Sequence, residues 1–363
     1  MGLGSGHIAS HAPIDFPAAI AKMRAPMESA RINTTDLGGP LLASVSRSFY
    51  LSIRLLPGPL RAPMGLAYLL ARASDTIADS TAVPVEARLR HLAAFWQMIR
   101  TGEPEGIEEL RHEITSPHDG ECTLIACLGD CLAWLAVLEQ KDRGEIIGVL
   151  EKIIRGQTLD LQRFGDGTHV IALQSAAELE EYTYLVAGCV GEFWTRLCLH
   201  HLPNCANLGL ADLRRLGANF GKGLQLVNIL RDAPADLRAG RCYFPENELR
   251  SAGTSPAPLD HAPAKAQPVF DRWHRQAADY LDDGFRYITA LRSPRLRAGC
   301  FLPWYLGMKT LGLMAKNPPL ASAEKIKVPR STVRRALALA APVAFSNSAL
   351  RALHPDATHI AIA

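Results

Sequence analysis

Apolar residues recur along most of this chain at the three- and four-residue spacing that is typical of helices packed on one face. Clear examples are Leu66, Leu69, Leu70 and Ala73, then Leu89, Leu92, Phe95, Trp96 and Ile99, and then Leu128, Leu132, Leu135 and Leu138. The same pattern predicts further helices at 146–161, 179–199, 213–230, 270–291 and 302–314. No segment shows the two-residue alternation of a half-buried strand. The sequence therefore predicts an all-α protein.

The breaks between these helices are short, which favours a single closed helical bundle with a central cavity over an array of repeats. We expect residues 1–35 to form a flexible leader, because Gly, Ser, His and Pro occur there without a period. Residues 36–335 then form the helical domain and 336–363 a C-terminal tail. The most membrane-like stretch, 298–315, contains Pro303 and Lys309 and barely reaches the roughly 20 residues that a span needs, so we expect a core helix there.

Composition excludes several classes of function and predicts the cellular compartment. The 363 residues carry a formal net charge of only +3, which argues against a nucleic-acid partner. The eight cysteines form no Cys-x-x-Cys pair, so neither a structural zinc site nor a redox motif is expected, and the adjacent His200 and His201 have no sequence partner at metal-ligand spacing. With no apolar signal at the N-terminus, we expect a cytoplasmic protein. Peripheral attachment to the inner face of a membrane remains open.

Two acidic faces lie inside otherwise apolar segments. Asp75 and Asp79 are four residues apart, so both carboxylates lie on one helix face. Asn228, Asp232 and Asp236 repeat this spacing and form a line of three oxygen ligands. Like charges so placed repel one another unless a cation lies between them.

Mg²⁺ is the cation that such residues suit, because it takes oxygen ligands and is usually held by one or two carboxylates together with substrate phosphates. Arg72 and Arg231 adjoin the two faces, and a guanidinium offers a bidentate fork to diphosphate oxygens. The residue types therefore predict a Mg²⁺–diphosphate site between two helices. Pro234 interrupts the second face, so we expect that helix to be kinked there or to end early.

Five blocks of the sequence resemble the squalene/phytoene synthase family, and within it the bacterial type of squalene synthase. They are VSRSFYLSIRLLP at 45–57, YLLARASDTIAD at 68–79, YTYLVAGCVGEF at 182–193, LQLVNILRDAPADLRAGRCYFP at 224–245 and the weaker KIKVPRS at 325–331. The resemblance extends over roughly residues 40–335. It implies an all-helical bundle of the isoprenoid synthase type that requires Mg²⁺ and condenses two prenyl diphosphates head to head.

The resemblance also implies roles for individual residues. The metal ligands would be Asp75, Asp79, Asn228, Asp232 and Asp236. The residues that bind diphosphate or line the same end of the cavity would be Ser46, Arg47, Ser48, Tyr68, Arg72, Gln225 and Arg231. Tyr182 matches the tyrosine associated with proton transfer, and Arg241 and Tyr243 match the position that closes over the substrate.

For squalene synthases the implied reaction has two steps. One farnesyl diphosphate loses diphosphate and is attacked by a second, giving presqualene diphosphate, and a second ionisation with hydride from NADPH gives squalene. Lys325 and Lys327 match the basic pair that contacts NADPH, whereas Arg47, Arg72 and Asn228 would serve the Mg²⁺–diphosphate cofactor site. No Gly-x-Gly-x-x-Gly motif follows a strand, so a Rossmann site is excluded.

Alternatives remain open at this point. A phytoene or dehydrosqualene synthase would use the same five metal ligands without NADPH reduction. A helical scaffold without chemistry is disfavoured, because both aspartate pairs, Asn228, the arginines and Tyr182 are all present. Ala78 and Ala235 stand where eukaryotic squalene synthases carry an additional acidic residue. The expected partner is a small prenyl diphosphate, and no protein partner is inferred.

Overall fold

The computed structural model describes residues 34–46, 48–165, 167–257, 263–321 and 326–354. Its helices are α1 (Thr34–Asp36), α2 (Leu42–Ser46), α3 (Ser48–Leu55), α4 (Gly58–Asp79), α5 (Val85–Thr101), α6 (Ile107–Glu113), α7 (Asp119–Ala126), α8 (Leu128–Val137), α9 (Gln140–Phe164), α10 (Ala176–Thr183), α11 (Cys189–His201), α12 (Leu210–Arg238), α13 (Glu246–Ser251), α14 (Pro263–Ala290), α15 (Pro294–Lys316), α16 (Arg330–Phe345) and α17 (Asn347–Arg351). Wider π-helical turns cover Leu37–Leu41 and Tyr184–Gly188, and a 3-10 turn covers Pro319–Ala321. The prediction of an all-α protein is confirmed. Residues 1–33 of the expected leader lie outside the described residues.

Two short strands, β1 (Ile171–Ala172) and β2 (Arg241–Cys242), form a parallel pair with Ile171 opposite Arg241. The Ile171 amide donates to the Gly240 carbonyl at 3.0 Å. Two residues are too few to show a strand period, so the sequence pattern could not reveal this pair. Its effect is to hold the segment that follows α12 against the start of the α10 region.

Helix α12 lies at the centre of the bundle and packs against α11, α14 and α15. Glycines allow α11 and α12 to approach until their backbones touch: a Cβ added to Gly191 would lie 1.9 Å from the Gly217 carbonyl oxygen. A Cβ on Gly221 would lie 2.3 Å from the carbonyl oxygen of Ala187. This glycine seam fixes the distance between two helices that also border the central cavity.

Helix α12 also continues through Pro234 to Arg238, so the expected early end is not observed. Leu230, Ala233 and Leu237 are buried on both sides of the proline. Apolar burial of this turn compensates for the backbone hydrogen bond that proline cannot donate. The whole second acidic face therefore lies on one helix.

Helix α15 forms part of the core, and the C-terminal helix α16 packs on it. The stretch 298–315 lies within α15, where Phe301, Trp304 and Tyr305 are buried, as expected of a core helix. Helix α16 passes through the expected boundary at residue 335, and the Arg297 side chain donates to the Val343 carbonyl at 3.1 Å. Among the described residues, no single helix has the length and apolar composition of a membrane span, and only α7 and α8, bent by 57°, pass that test as a pair.

Candidate active site

A cavity of about 530 Å³ lies between α3, α4, α9, α11, α12, α14 and α15. Its walls are mainly apolar, and α4 and α12 each contribute one face at helical spacing. The polar lining residues include Tyr68 and Asp75 on α4 and Gln225 and Asn228 on α12. One predicted metal ligand from each acidic face, Asp75 and Asn228, therefore lines this cavity.

Asp75 lies where the polar part of this cavity begins. Gln157 on α9 donates its Nε2 hydrogen to Asp75 Oδ1 at 2.6 Å, and Arg72 Nη1 lies 3.8 Å from Oδ2. Although 46% of the Asp75 side chain is accessible, that surface opens into the cavity. Burial, together with the negative charge of Asp79, raises the pKa of Asp75 to about 7.

Arg72 compensates Asp75 only in part, because its guanidinium is also bound by Glu121. The Arg72 Nη2 atom donates to Glu121 Oε1 in a short ion pair, and Ser116 donates to the other carboxylate oxygen at 2.6 Å. Glu121 is a buried residue on α7. It thus fixes the position of Arg72 at the edge of the first acidic face.

On the second acidic face, two aspartates are paired with arginines. Arg231 donates from Nε and Nη2 to the Asp232 carboxylate at 3.1 and 2.5 Å. Arg241, held by β2, donates to Asp236 Oδ1 at 3.1 Å. Each guanidinium group is thus paired with a carboxylate, and each could exchange its aspartate for a substrate diphosphate when a cation binds the carboxylates.

A buried tyrosine pair adjoins this face. The rings of Tyr182 and Tyr243 stack with centroids 4.9 Å apart, and their hydroxyls are 3.3 Å apart. The Tyr243 hydroxyl donates to Asp160, whose carboxylate oxygens lie at 3.0 and 3.1 Å. Burial raises the pKa of both tyrosines. Tyr182 is not among the residues that line the cavity, and Tyr243 stands between it and Asp160.

Asp160 also shows that the two acidic faces converge. Burial raises its pKa to about 6, the Tyr243 hydrogen bond and Arg241 oppose this rise, and the charges of Asp236 and Asp79 add to it. Asp79 ends α4 and Asp236 lies on α12, yet both act on the same carboxylate. The fold therefore brings these two aspartates, which are far apart in sequence, close to the same residue.

The donor set fits a magnesium ion. The groups gathered here are carboxylate and amide oxygens, the ligands that Mg²⁺ prefers. Burial, and after it the charge of Asp79, raises the pKa of Asp75 to about 7 despite the opposing effects of Arg72 and Gln157, so a further cation beside this carboxylate would favour its charged form. A divalent cation bound with substrate phosphate would be such a cation.

The squalene/phytoene synthase family model matches residues 42–332. The chain belongs to this family. Its members are prenyltransferases that join prenyl diphosphates head to head, and this protein is such an enzyme.

Individual relatives support this assignment. The chain is 31% identical to the presqualene diphosphate synthase of Zymomonas mobilis over 78% of its own length and 87% of that protein. It is 24% identical to the squalene synthase of Schizosaccharomyces pombe over 77% of its length, but this covers 59% of that longer protein. The structure of TcSQS with a bound ligand has the same fold, with a TM-score of 0.72, 23% identity and 89% of each chain covered.

The remaining residues predicted from the family pattern lie in different surroundings. Ser46 is buried and donates to the Leu42 carbonyl of its own helix. The Tyr68 hydroxyl donates to the Val45 carbonyl at 3.3 Å. Lys327 is exposed and is not among the cavity-lining residues. Arg47, the side chain of Ser48 and Lys325 lie outside the described residues.

Sequence reasoning missed three polar residues that hold this family site together: Glu121, Gln157 and Asp160. Gln157 and Asp160 share a face of α9 at a spacing of three residues, where they interrupt an otherwise apolar stripe. Two polar residues within an apolar helix face are a sequence signal that could have identified Gln157 and Asp160 as site residues. Glu121 lies on a short helix of mixed polarity, so only the fold shows that it faces Arg72.

Proposed function

We propose that this protein condenses two farnesyl diphosphate molecules to presqualene diphosphate with the aid of Mg²⁺. The observation that carries the proposal is that Asp75 of the first acidic face and Asn228 of the second line the same cavity, whose walls are mainly apolar. A diphosphate needs cationic groups at one end, and its prenyl chain needs an apolar, water-free wall. The 31% identity to a presqualene diphosphate synthase supports the same product.

In this reaction Asp75, Asp79, Asn228, Asp232 and Asp236 would hold Mg²⁺, which would stabilise the departing diphosphate. Arg72 and Arg231 would bind diphosphate oxygens, since bidentate guanidinium contacts match that geometry. The apolar walls exclude water from the allylic cation that remains after the C–O bond breaks. The double bond of the second farnesyl chain then attacks that carbon, and a proton is lost as the cyclopropane ring closes.

The tyrosine pair is suited to handle that proton. Tyr243 already donates its hydroxyl hydrogen to Asp160, and the Tyr182 hydroxyl is within hydrogen-bond distance of Tyr243. With raised pKa values both tyrosines stay protonated, so they can relay a hydrogen without carrying a lasting charge. Asp160 would orient the pair and accept the hydrogen bond that fixes its direction, and the released diphosphate would be the final acceptor of the proton.

A second candidate function is the complete conversion to squalene with NADPH. The similarity to squalene synthases, together with the basic residues Lys325 and Lys327, favours it. A third outcome, dehydrosqualene or phytoene, uses the same condensation, and phytoene synthase domains of bifunctional fungal proteins are also similar to this chain.

Product analysis separates these functions. The purified full-length protein is incubated with farnesyl diphosphate and Mg²⁺, with and without NADPH, and the products are identified by mass spectrometry. We expect presqualene diphosphate in both reactions. Squalene that forms only with NADPH would establish the second candidate. Dehydrosqualene in both reactions, or phytoene from geranylgeranyl diphosphate alone, would overturn the proposal.

The metal ligands are tested by Asp75→Asn, which keeps the size of the side chain but removes its charge. We expect the condensation rate to fall at least about 100-fold, because metal stabilisation of a leaving group contributes several kcal/mol. Asp130→Asn is the matched control, since Asp130 is an exposed aspartate on α8. Wild-type turnover of Asp75→Asn at limiting Mg²⁺ would refute the metal assignment.

A further inference from the structure

A second group of metal-ligating side chains lies at the opposite end of α9 from the acidic site. His200 and His201 end α11, and Asp142 lies in the first turn of α9. Their ligand atoms all lie within 4.8 Å of one another. Asp142 and Gln157 are fifteen residues apart on α9, so about 22 Å of helix separates this group from the contact with Asp75.

The carboxylate of Asp142 is buried and faces a histidine. Its side chain is 6% accessible, and His201 Nε2 lies 2.9 and 3.0 Å from the two oxygens. No lysine or arginine pairs with it among the described residues. A neutral imidazole donates a single hydrogen, whereas a buried carboxylate needs a charged or multiple partner.

The neighbouring side chains complete a ligand set. The rings of His200 and His201 are 4.6 Å apart between centroids. Glu139, immediately before α9, places Oε1 at 3.1 Å from His200 Nε2. Two imidazoles at the end of α11 and two carboxylates at the start of α9 correspond to the nitrogen and oxygen ligands of tetrahedral zinc, and imidazole favours this class of metal over Mg²⁺.

We propose that Asp142, His200 and His201, with Glu139 as the fourth ligand, bind one Zn²⁺ ion. The sequence shows no metal partners beside the two histidines because those partners lie about sixty residues earlier in the chain, at the start of α9. A bound ion would replace the hydrogen bonds that now join these side chains and would neutralise Asp142.

The site would join α9 and α11, two helices that line the central cavity. Helix α9 contributes Val149 and Ile153 to these walls, and α11 contributes Phe193 and Trp194, less than two turns before His200. Joining the two helix ends through a metal should raise the stability of this packing. The ion lies far from the acidic faces, so we expect no change in the Mg²⁺ requirement of the condensation.

The test is a Co²⁺ titration of the EDTA-treated full-length protein in saturating Mg²⁺, followed by visible absorption and by thermal unfolding. Co²⁺ reports its ligands directly: a tetrahedral nitrogen and oxygen site gives strong visible bands without the near-ultraviolet band of a thiolate. This readout distinguishes the proposed site from binding by the exposed Cys122. Zn²⁺ should displace Co²⁺ in a one-to-one ratio.

Two variants define the ligands. His201→Gln still offers a hydrogen to Asp142, and His200→Gln leaves the Asp142–His201 pair intact, so both should fold. Each should weaken Zn²⁺ affinity more than about 100-fold, since even indirect neighbours of a metal commonly contribute 10- to 100-fold. His112→Gln, at an exposed histidine on α6, is the control that should bind as the wild type does.

Tetrahedral bands that disappear in both variants, with a Zn²⁺-dependent rise in the wild-type melting temperature, would support the site. Thiolate bands, octahedral spectra or wild-type affinity in either variant would overturn it. The condensation assay is independent of this result, because loss of zinc binding leaves the acidic faces unaltered and failure of the condensation leaves the titration unaffected.

Discussion

At the scale of single residues, the site depends on neutral and charged partners that surround the predicted ligands. Asp75 is held by Gln157, Arg72 by Glu121, and Tyr243 by Asp160. Each supporting residue lies in a different structural element from its partner. The supporting contacts therefore determine the orientation of the ligands, since a carboxylate on a helix can otherwise adopt several rotamers.

The first prediction concerns Asp160. Asp160→Leu removes the acceptor of the Tyr243 hydroxyl and should lower the condensation rate about 100-fold, because a misplaced catalytic group commonly costs that much. Asp160→Asn keeps an oxygen acceptor and should stay within about tenfold of the wild type. Steady-state rates with melting temperatures as the fold control measure both. Equal rates for Asp160→Leu and wild type would exclude Asp160 from the relay.

The second prediction concerns pH. The pKa of Asp75 is raised from 3.8 to about 7 in the folded protein, so the folded state binds this proton more tightly than the unfolded state. The stability contributed by the group is complete below about pH 4 and is lost as the pH rises through about 7. Mg²⁺ binds the carboxylate form and should offset this loss.

The increase in melting temperature on adding Mg²⁺ should therefore be larger at about pH 8 than at about pH 6. Differential scanning fluorimetry measures it directly. Asp75→Asn serves as the control and should remove most of the difference. Equal Mg²⁺ effects at the two pH values in the wild type would contradict the raised pKa.

At the scale of elements, the glycine seam between α11 and α12 decides how closely the cavity walls approach. Gly191, Gly217 and Gly221 all line the cavity as well as the seam. Larger residues would push the helices apart and widen the space that must exclude water from a carbocation. The seam is therefore both a packing feature and a determinant of the cavity.

The third prediction tests this seam with two substitutions of the same kind. Gly191→Ala places a methyl group against the Gly217 carbonyl and should lower the free energy of unfolding by about 2–3 kcal/mol. Gly148→Ala on α9 meets no atom within 4 Å and should raise it by up to about 1 kcal/mol. Urea unfolding measures both. Similar effects of the two substitutions would show that the close approach is unimportant.

At the scale of the whole molecule, the C-terminal helices α16 and α17 pack on the helical domain next to α15. Val343 and Leu350 are fully buried, and Arg297 donates to the Val343 carbonyl. His354 pairs with Asp282 at 2.9 Å. These contacts join α16 and α17 to α14 and α15, so the tail segment expected from the sequence includes part of the packed domain.

The fourth prediction is that removing residues 330–363 lowers the free energy of unfolding by at least about 3 kcal/mol, the contribution expected from two buried apolar side chains. Removing only 355–363 preserves every contact named above and is the control. Chemical unfolding followed by tryptophan fluorescence measures both. Equal stability of the two truncated proteins would show that α16 and α17 do not support the core.

The sequence by itself determined the helical class and the chemistry of the two acidic faces. Helix formation follows from local apolar periodicity, and the i, i+4 spacing of Asp75 and Asp79, or of Asn228 and Asp232, places them on one face whatever the fold. Both properties are local, so a pattern along the chain can reveal them. The resemblance of five sequence blocks between residues 45 and 331 to the squalene/phytoene synthase family also indicated a prenyltransferase.

Only the tertiary structure decided which distant residues meet. Gln157 reaches Asp75 across 82 positions and Tyr243 reaches Asp160 across 83, and no periodicity records such pairings. The turn at Pro234 stayed helical because burial of its neighbours outweighed a local preference. Packing between helices likewise places Asp142 beside His200 and His201. Contacts between elements arise from packing, which depends on the whole chain at once.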